Sequence, residues 1–135
     1  MATQIFLNLP VKDLKKSMAF YEAVGFKNNP QFTDDTAACM VLTDTIFVML
    51  LTHDKFKQFT SKTIIDAKSS IEMASSLSMS SAQEMNAVVD NAIKAGGREY
   101  RPAQDYGFMQ QRCFEDLDGH NWEIIYMDMS KFPQQ

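Results

Sequence analysis

The order of hydrophobic patterns along this chain occurs twice, and that repetition constrains the fold more than any single residue does. An alternating stretch, Ile5-Phe6-Leu7-Asn8-Leu9, leads through Asp13 into apolar residues at helical spacing, Leu14, Met18, Tyr21 and Val24, closed by Gly25. Asp13 is a residue type whose carboxylate caps free N–H groups at a helix start. Strand-like segments follow at Phe26 to Thr33, Ala37 to Thr43 and Thr45 to Leu51. The same order returns from Ile71 to Met79, through the cap-like Ser80-Ser81-Ala82-Gln83-Glu84, to a helix bearing Met85, Val88, Val89, Ala92 and Ile93. Gly96-Gly97 closes that helix, and strands are expected at Glu99 to Tyr106, Phe108 to Phe114 and Trp122 to Met127, with a hairpin turn at Asp118-Gly119. One constant shift takes Cys39 onto Cys113 and Asp44 onto Asp118.

The pattern predicts an α+β fold in which two tandem βαβββ modules form a cupped mixed sheet with helices outside. A single domain covers 1–135, with the first module at about 3–52, a linker over 53–70 carrying one short helix, and the second module at about 71–129. One such module leaves a sheet face uncovered, so two must share a core or form a common cupped sheet, and a pocket is expected between them.

With 135 residues, 45% hydrophobic and 22% charged, the chain can bury one core but hardly two independent ones. A net charge of -4 with scattered lysines offers no basic stripe for phosphates, so nucleic acid is not an expected partner. No apolar run approaches the roughly 20 residues that cross a bilayer. The first ten residues enter a strand pattern without the basic flank and apolar stretch of an export signal, so no membrane association and a cytoplasmic location are expected. Cys39 and Cys113 have neither metal-type spacing nor a disulfide framework, and read as small buried apolar residues.

The segment Leu9-Pro-Val-Lys-Asp-Leu-Lys-Lys-Ser-Met-Ala-Phe-Tyr-Glu-Ala-Val-Gly-Phe26 resembles the opening of vicinal-oxygen-chelate proteins, the superfamily of glyoxalases, bleomycin-resistance proteins and extradiol dioxygenases. Asp116-Leu-Asp-Gly-His-Asn-Trp-Glu123 is similar to that family's closing Asp-Pro-Asp-Gly-x-x-x-Glu, and Ala95-Gly-Gly97 matches its second helix end. Gln104-Asp-Tyr-Gly-Phe-Met and the Met-rich fourth strand look like a bacterial branch labelled predicted lactoylglutathione lyase. The resemblance implies four inward-facing metal ligands, His, Glu or Gln, one each from the first, fourth, fifth and eighth strands. Such an ion polarises adjacent substrate oxygens, and divalent metals of this kind take imidazole and carboxylate ligands. Carried onto this chain, the four positions fall on Phe6, Met49, Ala74 and Glu123. Three of them cannot supply such a ligand, so no metal cofactor is expected. A displaced divalent site using Glu72, Glu123 and His53 is the alternative, with His53 otherwise read as a solvated loop residue and His120 as a turn residue.

Alternation puts Asn8 on the face of Phe6, and Glu72 and Ser76 on the face of Ala74, so the expected ligand pocket is Phe6, Asn8, Met49, Glu72, Ala74, Ser76 and Glu123. Glu123 has two readings: a general acid or base, or group for a cationic or hydroxylated ligand, in an apolar cup, and a structural carboxylate bonded to Ser76 or Asn8. The chain has ten methionines. Met40, Met49, Met73, Met109 and Met127 would either border an adaptable pocket or fill the core. Phe6, Tyr100, Tyr106, Phe108 and Trp122 could stack a planar ligand, although Trp122 should face away from Glu123 and pack beneath a helix. The function expected is binding of a small molecule in the inter-module cup without the usual metal. The alternative is a divergent lactoylglutathione-lyase-like enzyme using Glu123 as base, and the resemblance and open strand edges imply a homodimer.

Overall fold

A computed structural model describes residues 2–133. In chain order the elements are β1 (Ile5–Val11), α1 (Leu14–Val24), β2 (Lys27–Asn29), β3 (Ala37–Val41), β4 (Ile46–Thr52), α2 (His53–Phe56), β5 (Ala74–Met79), α3 (Ala82–Lys94), β6 (Gln104–Asp105), β7 (Met109–Glu115) and β8 (Asn121–Met127). Short 3-10 turns follow β2 at Pro30–Phe32 and β8 at Met129–Lys131. The α+β architecture of two strand–helix–three-strand modules is thus as the sequence repeat predicts. The strands form two mixed sheets of four, ordered β1-β4-β3-β2 and β5-β8-β7-β6, and among the described residues no ladder joins one sheet to the other. Within each sheet the first and last strands of the module run parallel and the remaining pairs antiparallel.

The registers of the two sheets match. Met49 stands between Asn8 and Cys39 in the first, and Glu123 between Ser76 and Cys113 in the second. The constant shift between the cysteines and between the turn aspartates is therefore a true structural repeat.

Local chemistry sets the helix ends. The Asp13 carboxylate accepts the Lys16 N–H at 3.1 Å, and Gly25, at φ 127°, donates its N–H to the Tyr21 and Glu22 carbonyls. Ser81 accepts the Glu84 N–H at 3.0 Å, while the Glu84 carboxylate takes both the N–H and the hydroxyl of Ser80. These hydrogen bonds from Ser80 hold the Glu84 carboxyl below its ordinary range.

One apolar cluster serves both modules. Ala38 and Met40 of β3 and Val48 and Leu50 of β4 face α1, while Phe114, Trp122 and Ile124 face Met85, Val89 and Ala92 of α3. Phe20 and Tyr21 of α1 cross the junction, with ring centroids 6.0 Å from Phe114 and 6.1 Å from Trp122 respectively. Burying side chains of this size contributes about 1.5–3 kcal/mol each, so the junction is a strong part of the core. Phe20 lies outside the apolar face read from the sequence because α1 packs on α3 and the second sheet as well as on its own. Trp122 and both cysteines are buried as expected.

Several expected strands are shorter than their patterns, β3 ending at Val41 and not at Thr43. The stretch Glu99 to Tyr106 pairs only at Gln104–Asp105 and through an isolated Arg98–Glu115 bridge, because Pro102 has no N–H to give a ladder. β5 begins at Ala74 and not at Ile71, and β2 stops at Asn29 before Pro30. No helix among the described residues is long and apolar enough to cross a membrane.

Candidate functional site

Each sheet carries its helix on one face only. On the opposite face of the first sheet, strand alternation and register bring together Phe6, Asn8, Phe47, Met49 and Cys39. Phe6 stacks on Phe47 with centroids 4.5 Å apart and remains 48% exposed. The equivalent face of the second sheet holds Ala74, Ser76, Asn121, Glu123 and Cys113. The four ligand positions implied by the resemblance therefore divide as Phe6 with Met49 and Ala74 with Glu123. A phenyl ring, a thioether and a methyl group do not fit a divalent ion that takes imidazole and carboxylate. Among the described residues no three His, Cys, Asp or Glu side chains come together as a metal site requires.

Glu123 is half-buried, and its Oε1 accepts the Ser76 hydroxyl at 2.6 Å. This is the partner expected under the structural reading of the carboxylate, and it also fixes where the group points. Tyr100 adjoins Asn121, Cys113 and Glu123, and its phenol, pushed up to about 12 by burial, stays protonated at neutral pH. Burial likewise pushes the Cys113 thiol up, leaving it a poor nucleophile.

The closing Asp-x-Asp-Gly-His motif fastens the two modules. Buried Asp116 accepts the Tyr21 hydroxyl at 2.5 Å and the N–H groups of Asp118 and His120, and the Tyr21 oxygen in turn accepts Trp122 Nε1–H at 3.0 Å. Asp118 accepts the Lys12 N–H at 2.8 Å. The sequence reads His120 as a turn residue. Its Nε2 instead lies 2.8 Å from the Pro10 carbonyl, which as an acceptor requires Nε2 to carry the proton. His53 is exposed on α2, as expected for a solvated residue.

Beside this joint lies a groove of about 520 Å3. Pro10 of the first module and Phe56, Ile64, Ile65 and Ile71 from the connection between the modules form its apolar walls, and the buried Trp122 of the second module adjoins it. Asn8, Thr63, Glu72, His120 and Asn121 supply polar groups. Of the pocket residues read from the sequence, Asn8 and Glu72 line this groove, whereas Phe6, Met49, Ala74, Ser76 and Glu123 lie on the open sheet faces. Glu72 and Met73 precede β5, so strand alternation does not place Glu72 on the face of Ala74. The sequence pattern alone does not show the wall contributed by residues 56–71. Its signal was the Ile64-Ile65 pair, two large apolar residues inside an otherwise Ser/Thr/Lys-rich stretch.

Comparison with known proteins bears on this arrangement. The family model for the bleomycin resistance protein-like N-terminal region matches residues 3–42. A hypothetical protein, SA1046 of S. aureus, is 27% identical, with 93% of this chain and 95% of that one covered and a TM-score of 0.77. A glyoxalase/bleomycin resistance protein/dioxygenase family enzyme from Burkholderia phytofirmans is 19% identical, covering 93% and 99%, with a TM-score of 0.76. The chain has the vicinal-oxygen-chelate fold. A bleomycin-binding protein solved with bleomycin shares that fold at 19% identity and a TM-score of 0.64, with 93% of this chain and 98% of that one covered. No curated protein sequence matches the chain.

Proposed function

We propose that this chain binds a small organic molecule at the junction of its two modules, without a metal and without transforming it. The observation that carries the reading is the groove of about 520 Å3, within the roughly 300–1,000 Å3 typical of ligand sites and lined by apolar walls with a few polar groups. The fold shared with the bleomycin-binding protein supports the mode of action. Phe6, Met49 and Ala74 in place of metal ligands remove the Lewis acid on which a glyoxalase or dioxygenase mechanism would depend. A homodimer fits the unpaired outer edges of β1 and β5 and the apolar side chains on the open faces, and two buried free thiols suit a reducing compartment such as the cytoplasm.

Trp122, the single tryptophan, adjoins the groove and gives a fluorescence readout of changes there. Titration with a broad panel of aromatic, cationic and antibiotic compounds should change its emission and raise the melting temperature for at least one class. A flat response in fluorescence and calorimetry across the panel would sink the proposal.

A second reading takes Glu123 as the base of a divergent lactoylglutathione-lyase-like enzyme. The observation favouring it is the oriented carboxylate, held by Ser76 beside the Tyr100 phenol. The hemithioacetal of methylglyoxal and glutathione is the substrate to offer, and turnover unchanged in Glu123→Gln would end that reading.

A further inference from the structure

We propose that the groove takes an amphiphilic organic cation, its apolar body lying at the module junction and its protonated amine reaching Glu123. This deepens the small-molecule reading and rests on it. Asn121 lines the groove and stands two residues before Glu123 on the same face of β8, a separation of roughly 7 Å along a strand. A ligand seated against Asn121 therefore needs only a short alkyl chain to reach the carboxylate.

The charges around that path select its sign. Ion pairs among the described residues join Arg98 to Glu115 and Arg112 to Asp90 and Glu99, so neither Glu123 nor Glu72 is neutralised by one. Both lie along the proposed path, whereas Lys62, on the connecting segment, is the sole Lys or Arg lining the groove. Ser76 donates to one oxygen of Glu123 and leaves the other free for an ammonium hydrogen. The matched registers make the selection local: the position equivalent to Glu123 in the first sheet is Met49, which attracts no charge.

The test compares three ligands with one carbon skeleton, 4-phenylbutylamine, 4-phenylbutanol and 4-phenylbutyrate, by Trp122 fluorescence and calorimetry. The proteins are the wild type, Glu123→Gln, and an Ile65→Ser/Ile71→Ser variant whose altered side chains are both exposed. In the wild type the amine should bind about tenfold tighter than the alcohol, as a charge-assisted hydrogen bond provides, with the carboxylate weakest. Glu123→Gln should bring the amine down to the affinity of the alcohol and leave the alcohol unchanged, whereas the isoleucine variant should weaken both. Equal binding of amine and alcohol, or an amine preference that survives Glu123→Gln, overturns the cation assignment and leaves the small-molecule reading standing. Absence of binding by all three, together with a flat response to the broad panel, removes both.

Discussion

Asp116 shows how one residue type can be legible while its role is not. The sequence marks it as the first acid of a turn motif. In the structure it is 4% exposed and accepts three hydrogen bonds that tie α1 to the turn between β7 and β8. Burial, the largest influence, raises its pKa above the ordinary aspartate value. A carboxyl raised in the native state makes a stability contribution that is fully present below its unfolded pKa, about 3.9. That contribution is lost as pH climbs through the raised native value. Asp116→Asn should therefore remove a pH-dependent term: urea midpoints measured from pH 3 to 7 should show wild-type stability falling relative to the variant as pH rises. A parallel pair of curves would show that Asp116 does not titrate as its burial implies. Glu123 was legible in a different way. The sequence leaves its partner open between Ser76 and Asn8, and the pairing of β5 with β8 decides for Ser76.

Among the elements, the turn between β7 and β8 and the connection over residues 53–73 depend on each other. Gly119 has φ 92°, and a Cβ there would stand 2.6 Å from the Lys68 backbone nitrogen and 2.8 Å from the Ala67 carbonyl carbon. Gly107 has a similar φ of 88° with nothing within 4 Å. Gly107→Ala should therefore cost only the backbone strain, on the order of 1–3 kcal/mol. Gly119→Ala should cost more, and should also loosen the Ala67 side of the groove, read as faster proteolysis within the connection. Equal urea midpoints for the two variants would mean that the connection is not held against the turn. The helix starts at Asp13 and Ser81 and the end at Gly25 were readable because caps act within a few residues of sequence. β6 was overread since its pattern alternates while Pro102 breaks the ladder.

For the molecule as a whole, one helix-covered face and one open face on each sheet set the question of assembly. Phe6 at 48% and Ile5 at 52% exposure on an edge strand are apolar surface that a second copy would cover. Light scattering on size-exclusion peaks should give twice the 15.4 kDa chain mass, and Phe6→Asp should shift the equilibrium to the monomer. A wild-type monomer at micromolar concentration would leave those faces uncovered and rule the dimer out.

The sequence by itself determined the α+β class, the repeat and the helix caps. Each of these follows from periodicity or side-chain chemistry that acts locally. Only the tertiary structure decided that the modules form two sheets around one shared core, that Tyr21, Asp116 and His120 lock them, and that residues 56–71 fold back to wall a groove. The reason is physical: those contacts join positions about a hundred residues apart, as in Tyr21 with Asp116 and Pro10 with His120. Their energy comes from the burial and geometry of both partners, which neither segment encodes alone.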